Sequence, residues 1–191
     1  MRGLLLTGVL CLGLTAILSS NLRAQRADAD ELKAEILLKL LSRNRALDVA
    51  RLDTIRLALV YDSTDAAASR EAGKFYGILL HLPTLPFKKT PLVVQMTPVQ
   101  ALYRVDWEQL QAVLLIPGRR DITRQILPRC REWKVLSMST DPTLIARGVS
   151  VAVETRGKSQ PEIWMNVNAL KSEGASYDPE ILELVKHLIW Q

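Results

Sequence analysis

Cysteine and histidine are almost missing from this 191-residue chain, with two of each. Cys11 lies inside an apolar N-terminal run, so if that run is removed only Cys130 remains and no disulfide can close within the chain. His81 and His187 have no metal-ligating neighbour at helical or hairpin spacing, which leaves a zinc-type site without a ligand set. Gly-x-Ser-x-Gly elbows, Gly-x-Gly-x-x-Gly turns and Walker-type phosphate loops do not occur. Aromatic residues make up 5% of the chain and no basic block carries them, which argues against a nucleic-acid face. These absences favour a non-enzymatic chain that needs no cofactor and no metal.

What the sequence does have begins at its amino terminus. Arg2 precedes an apolar run from Leu4 to Leu18, and Ser19-Ser20-Asn21-Leu22-Arg23-Ala24 follows. A positive start, about fifteen apolar residues and a small-residue exit form the pattern of a secretory signal peptide. The run is short for a bilayer span, which takes about 20 residues. Cleavage after Ala24 fits best. Ala29 lies far from the run, and an uncleaved anchor is the rival reading. Cys11 follows Leu10 inside the run, which does not suit a lipoprotein site. Residues 1–24 carry Arg2 and Arg23 and no acid, so the formal charge of +5 falls to +3 without them. Residues 25–191 then form one domain, large enough for a real core. They contain no second run of spanning length, so no membrane insertion is expected after cleavage.

Along that domain, helical periodicity alternates with short apolar runs. Leu32, Ile36, Leu37, Leu40 and Leu41 share a helical face between about Asp28 and Leu47. Ile55–Tyr61 reads as a strand, and the next helix, about Ser63 to Leu80, turns Ala68, Ala72, Phe75 and Leu79 inward. Leu92–Met96, Ala112–Ile116 and Lys134–Met138 read as further strands, continuous enough in apolar residues to be parallel and covered on both sides. Asp106 and Gln109 suggest a capping box. Asp141-Pro142 opens a short helix that Gly148 ends. After Gly148 the period becomes two: Val149, Val151 and Val153, then Ile163, Met165 and Val167 beyond a turn at Arg156-Gly157-Lys158. Such alternation implies one wet face and one buried face. Asp178-Pro179 opens a last helix with Ile181, Leu184, Val185 and Leu188 inward. The fold class read from this order is α/β: a three-layer sandwich with a mostly parallel sheet extended by a C-terminal antiparallel hairpin.

Candidate binding residues are few. Pro117-Gly118-Arg119-Arg120-Asp121 follows the third strand, at the end where ligands sit in an open α/β sheet. Arg119 and Arg120 there are candidate contacts for a carboxylate or phosphate, against a solvated loop in which Asp121 caps the next helix. Asp62-Ser63-Thr64-Asp65 follows the first strand, and its two aspartates suit helix capping better than anion binding. Cys130 shares a helical stripe with Ile122 and Ile126 and reads as a buried, inert thiol. His187 is expected at the surface near the end of the last helix, and His81 at a helix end. Asn166 and Asn168 share one face of a strand, where an amide can tie the strand end to the following turn. Lys171 and Glu173 are expected in solvent.

The carboxyl-terminal third also carries an ordered set of motifs. Val135-Leu136-Ser137-Met138-Ser139 leads to Gly148-Val149-Ser150-Val151-Ala152-Val153. Pro161-Glu162-Ile163-Trp164-Met165-Asn166-Val167-Asn168 follows, then Lys171-Ser172-Glu173-Gly174-Ala175 and Ile181-Leu182-Glu183-Leu184. This order resembles the YfiR-like family of bacterial periplasmic proteins over roughly residues 31–189, and most closely over 133–185. Gly148, Asn166 and Leu182 fall at the family's structural positions. The resemblance implies an exported, periplasmic α/β domain that regulates by contact. Its partner would be a membrane signalling protein, a diguanylate cyclase or a sensor kinase. The chain departs from those regulators in its single mature thiol, and in Ala46-Leu47-Asp48-Val49 where they have an aromatic-proline segment. The alternative expectation is a periplasmic small-ligand-binding domain using the crevice beside Arg119 and Arg120. Nucleic acid is not an expected partner, and self-association is left open.

Overall fold

A computed structural model describes residues 29–82, 87, 90–155 and 160–190, and among these residues seven strands and five helices form the fold. The expected signal peptide, residues 1–24, and the turn expected at Arg156-Gly157-Lys158 lie outside the described residues. Helix α1 spans 29–42. Strand β1 (Ile55–Tyr61) follows and matches the expected span. Its β-branched and aliphatic residues feed two cores in alternation: Ile55, Leu57 and Leu59 enter one, Ala58 and Val60 the other. Helix α2 (Ala66–His81) buries Ala68, Ala72, Phe75 and Leu79, the stripe its spacing predicts. Asp65 caps it, accepting from the amides of Ala67 and Ala68.

The remaining elements are β2 (Leu92–Pro98), β3 (Ala112–Leu115), α3 (Thr123–Trp133), β4 (Leu136–Ser139), β5 (Val151–Glu154), β6 (Glu162–Asn166), α4 (Val167–Ser172), α5 (Pro179–Glu183) and β7 (His187–Ile189). Short 3-10 turns link several of them. The sheet order is β2-β1-β3-β4-β5-β6-β7. All neighbours are parallel except the antiparallel pair β5–β6. Helices α1 and α2 pack residues such as Leu38, Leu41 and Phe75 on one face. Helix α3 and the 3-10 turns pack Ile126, Leu102 and Ile145 on the other. This is the expected α/β sandwich with a mostly parallel sheet.

Several local expectations change for physical reasons. β2 is an edge strand, so its burial alternates and Val93 faces solvent, while β1, β3 and β4 are covered on both sides. β5 is also covered on both sides along Val151–Val153, so its alternation marks two cores and not a wet face. The expected long final helix stops at Glu183, and His187–Ile189 instead pairs in parallel with the open edge of β6. Leu184 and Leu188 are therefore exposed, as is Leu182, while Val185 is partly buried. Leu32 points outward, and Ala34 and Leu38 take the inner face of α1 beside Leu37, Leu40 and Leu41. Asp106 forms no side-chain cap. Asn168 lies in α4, not on a strand.

Two capping expectations hold. Asp141 accepts from the Thr143 amide to start a 3-10 turn over Pro142–Arg147, and Gly148 ends it at φ 98°. The left-handed backbone selects glycine there, while the atom nearest an added side chain, Arg131 Nη2 at 3.0 Å, ends a flexible side chain that can move aside. Asn166 closes β6 and accepts from the Ala169 amide at 3.0 Å, the strand-to-turn tie expected of an amide there.

Candidate functional site

Because β2 and β3 flank β1, the chain leaves β1 in opposite directions on its two sides. The crevice of an open α/β sheet lies at this switch, beyond the carboxyl ends of the strands. The loops after β1 and β3 meet there, and they are the two segments the sequence singles out. The Arg119 amide donates to Asp65 Oδ2 at 2.9 Å, and Arg120 Nε lies 3.8 Å from Asp62 Oδ2. A Cβ at Gly118 would approach Ala68 and Asp65 to 3.3 Å, so the loops touch.

The aspartates are committed to this local structure. Asp62 is buried, and its Oδ1 accepts from the Thr64 hydroxyl at 2.7 Å, the Thr64 amide at 2.9 Å and Gln100 Nε2 at 3.2 Å. The Thr64 hydroxyl bond, then the Thr64 amide bond, holds its carboxyl below the usual aspartate range. The Arg119 amide, followed by the cap bond from Ala67, does the same for Asp65. Asp121 is held low by the Thr123 hydroxyl and lies 3.6 Å from Arg147 and 3.9 Å from Arg124. The guanidinium of Arg120 thus faces a fixed carboxylate, and the cavity beside it measures about 60 Å³. That is room for roughly two waters at ~30 Å³ each. The crevice is a pinned hinge of loops, closer to the solvated-loop reading than to an organic-ligand site.

A larger opening lies elsewhere, in a place the sequence does not mark. Ile36 and Leu40 of α1, Ile163 of β6, and Ile181 and Leu184 of the α5 segment surround a groove of about 720 Å³. Lys39, Ser42 and Arg43 complete its rim. Its size falls in the ~300–1,000 Å³ range of small-molecule sites, and its walls are mainly apolar. Its two sides are tied together beyond the end of α1. Asn44 Oδ1 accepts from the Ser176 amide at 3.0 Å, the Arg45 amide donates to Ser176 O at 2.9 Å, and Arg45 Nη1 pairs with Asp178 Oδ1 at 3.2 Å.

The other residues of note serve structure. Cys130 is fully buried on the Ile126 stripe, and burial, then the nearby Glu173 carboxylate, pushes its thiol well up. Glu173, expected in solvent, is buried. It accepts from the Ser137 amide at 2.8 Å, the Ser137 hydroxyl at 2.6 Å and the Ser150 hydroxyl at 2.5 Å. Desolvation outweighs these bonds and raises its carboxyl above the usual range. His81 ends α2 with Nδ1 2.8 Å from Gly77 O. His187 sits on β7, stacked on Trp164 at 3.6 Å between ring centroids and 3.3 Å from Glu162 Oε2. Among the described residues, no cluster of three or more His, Cys, Asp or Glu could hold a metal ion. Among them, too, no helix is long and apolar enough to cross a membrane.

No family model matches the sequence, and no curated protein does. Solved structures match the fold at low identity. The ABC domain from Streptococcus pneumoniae in complex with L-Trp aligns with TM-score 0.58 and 9% identity, over 84% of this chain and 60% of that one. A conserved domain protein from Vibrio cholerae O1 biovar eltor aligns with TM-score 0.55 and 11% identity, over 83% of this chain and 60% of that one. The chain therefore spans three-fifths of the length of each, and the likeness is one of fold.

Proposed function

We propose that the protein is a small-ligand-binding module whose site is the groove between α1, β6 and α5. The observation that carries this reading is the groove's combination of about 720 Å³, apolar walls and pinned sides. The Arg119–Arg120 crevice offers about 60 Å³, and the Arg120 charge faces Asp62. A domain of similar fold was solved in complex with L-Trp, which is compatible with the choice of ligand binding. Both histidines being held in structural contacts fits the same choice.

A thermal-shift screen of amino acids and small carboxylates tests it. A ligand at 100 times its Kd should stabilise the protein by about 2.7 kcal/mol. Leu184→Glu should abolish the shift, and Arg119→Ala with Arg120→Ala should leave it. A shift that follows the arginine pair instead would return the site to the crevice.

A second reading rests on a different observation. Leu182, Leu184, Leu188 and Trp190 are all exposed in or near the last strand, and several large apolar side chains left exposed in one segment favour protein contact. Together with the signal-peptide pattern and the YfiR-like resemblance, this exposure supports an exported periplasmic regulator acting on a membrane signalling protein. In-cell crosslinking followed by mass spectrometry tests this. Recovery of one such protein is expected, and recovery of the chain alone would remove the reading.

A further inference from the structure

Taking the groove as the binding site, we infer that its ligand is a free anionic amphiphile: an alkyl body with a single carboxylate head. The residues lining the groove include two cations and no acid. Arg43 is exposed and makes no ion pair among the described residues. Lys39 meets Glu35 at 2.6 Å, an exposed pair one turn apart that a ligand carboxylate displaces at little cost. The acids of α5, Glu180 and Glu183, are exposed and do not line the groove. Opposite the two cations, Ile163, Ile181 and Leu184 offer only hydrocarbon. A guanidinium fork takes both oxygens of a carboxylate, which fixes the head at the rim and lays the chain along the apolar wall.

The carboxyl end of α1 opposes this, since its last carbonyls carry partial negative charge. Those carbonyls are already engaged, however: the Arg43 amide bonds Lys39 O and Leu40 O, the Asn44 amide bonds Leu41 O, and the Ser42 hydroxyl donates to Lys39 O. Two full cations then outweigh a partial charge that is largely satisfied. Aromatic or polar bodies are less suited, because the walls are aliphatic throughout.

The experiment is calorimetric titration of the purified protein with decanoate and, separately, with decanol. The two share a chain and differ in charge. Decanoate is expected to bind at least about ten-fold more tightly than decanol. Lys39→Gln with Arg43→Gln should erase that difference while leaving decanol binding within about two-fold, and both positions are exposed enough that melting should not change. Leu184→Glu should remove both ligands. Equal binding of decanoate and decanol would overturn the anionic class and leave the groove as a neutral apolar site. Binding of neither would overturn the amphiphile class and leave the groove to the amino-acid screen, and decanoate binding lost only in Arg119→Ala with Arg120→Ala would overturn the groove itself.

Discussion

Glu173 shows how one buried carboxylate can hold two strands and a turn in register. Its two oxygens gather the amide and hydroxyl of Ser137 at β4 and the hydroxyl of Ser150 just before β5, while the Ser150 amide returns to Ser137 Oγ at 2.9 Å. Glu173→Ala leaves the buried Ser137 amide and Ser150 hydroxyl unpaired and should cost about 3 kcal/mol in urea unfolding. Glu173→Gln keeps one acceptor and should cost less. The pH behaviour separates the two charge states. Because burial raises the folded carboxyl above its unfolded value, the folded chain holds a proton there that the unfolded chain has released. This site's contribution is therefore present at low pH and lost as pH rises through the raised value. Asp62, Asp65 and Asp121 have lowered values and act the opposite way, losing their contribution on acidification. The wild type should lose stability relative to Glu173→Gln as pH rises from the ordinary carboxylate value through the raised folded one, and equal slopes would sink the assignment. Cys130 belongs to the same scale. Its buried thiol should resist alkylation in the native protein, and Cys130→Ser should cost about 1–2 kcal/mol for placing a hydroxyl there. Rapid native labelling with unchanged melting would contradict it.

At the level of elements, positive φ and pairing decide what periodicity leaves open. Gly148→Ala should destabilise by about 1–2 kcal/mol from the left-handed backbone alone. A melting temperature unchanged in that variant would contradict the role given to the turn. Helix α2 and strands β1 and β3 could be read from the sequence because their residues pack against neighbours on both sides of the sheet, so composition and environment agree. The end of the chain could not. Ile181, Leu184, Val185 and Leu188 recur at three and four residues and read as a helix, yet the open edge of β6 takes His187–Ile189 as a strand. A short apolar run carries no information on which partner will reach it. Glu173 was lost for a related reason. Acids are seldom buried without partners, and its partners lie 36 and 23 residues away. Ser137, Ser139 and Ser150, set in apolar strands, were the available hint. The crevice loops were legible because strand ends mark them. The groove was not, since its walls come from residues 36–43, 163 and 181–184.

The whole molecule presents two unlike sheet edges. β2 alternates and is flanked by a turn, whereas β7 is short and bordered by exposed Leu184, Leu188 and Trp190. Trp190 lies under Lys171, with the ammonium 5.5 Å from the ring centroid, which screens only one side of it. Leu188→Glu with Trp190→Glu should change unfolding free energy by no more than about 0.5 kcal/mol at each exposed position. The same pair should remove any crosslink to a membrane signalling protein. A crosslink that persists would place the contact elsewhere on the surface.

The tie between Asn44 and Ser176 also sets an order of assembly. These residues are 132 apart in the chain. At ~5–20 residues per second, helix α1 is synthesised on the order of ten seconds before the segment that clasps it. The groove therefore cannot take shape before residues 176–184 have been made, and a chain that has built only β1 to β4 lacks the wall that Ile163, Ile181 and Leu184 supply.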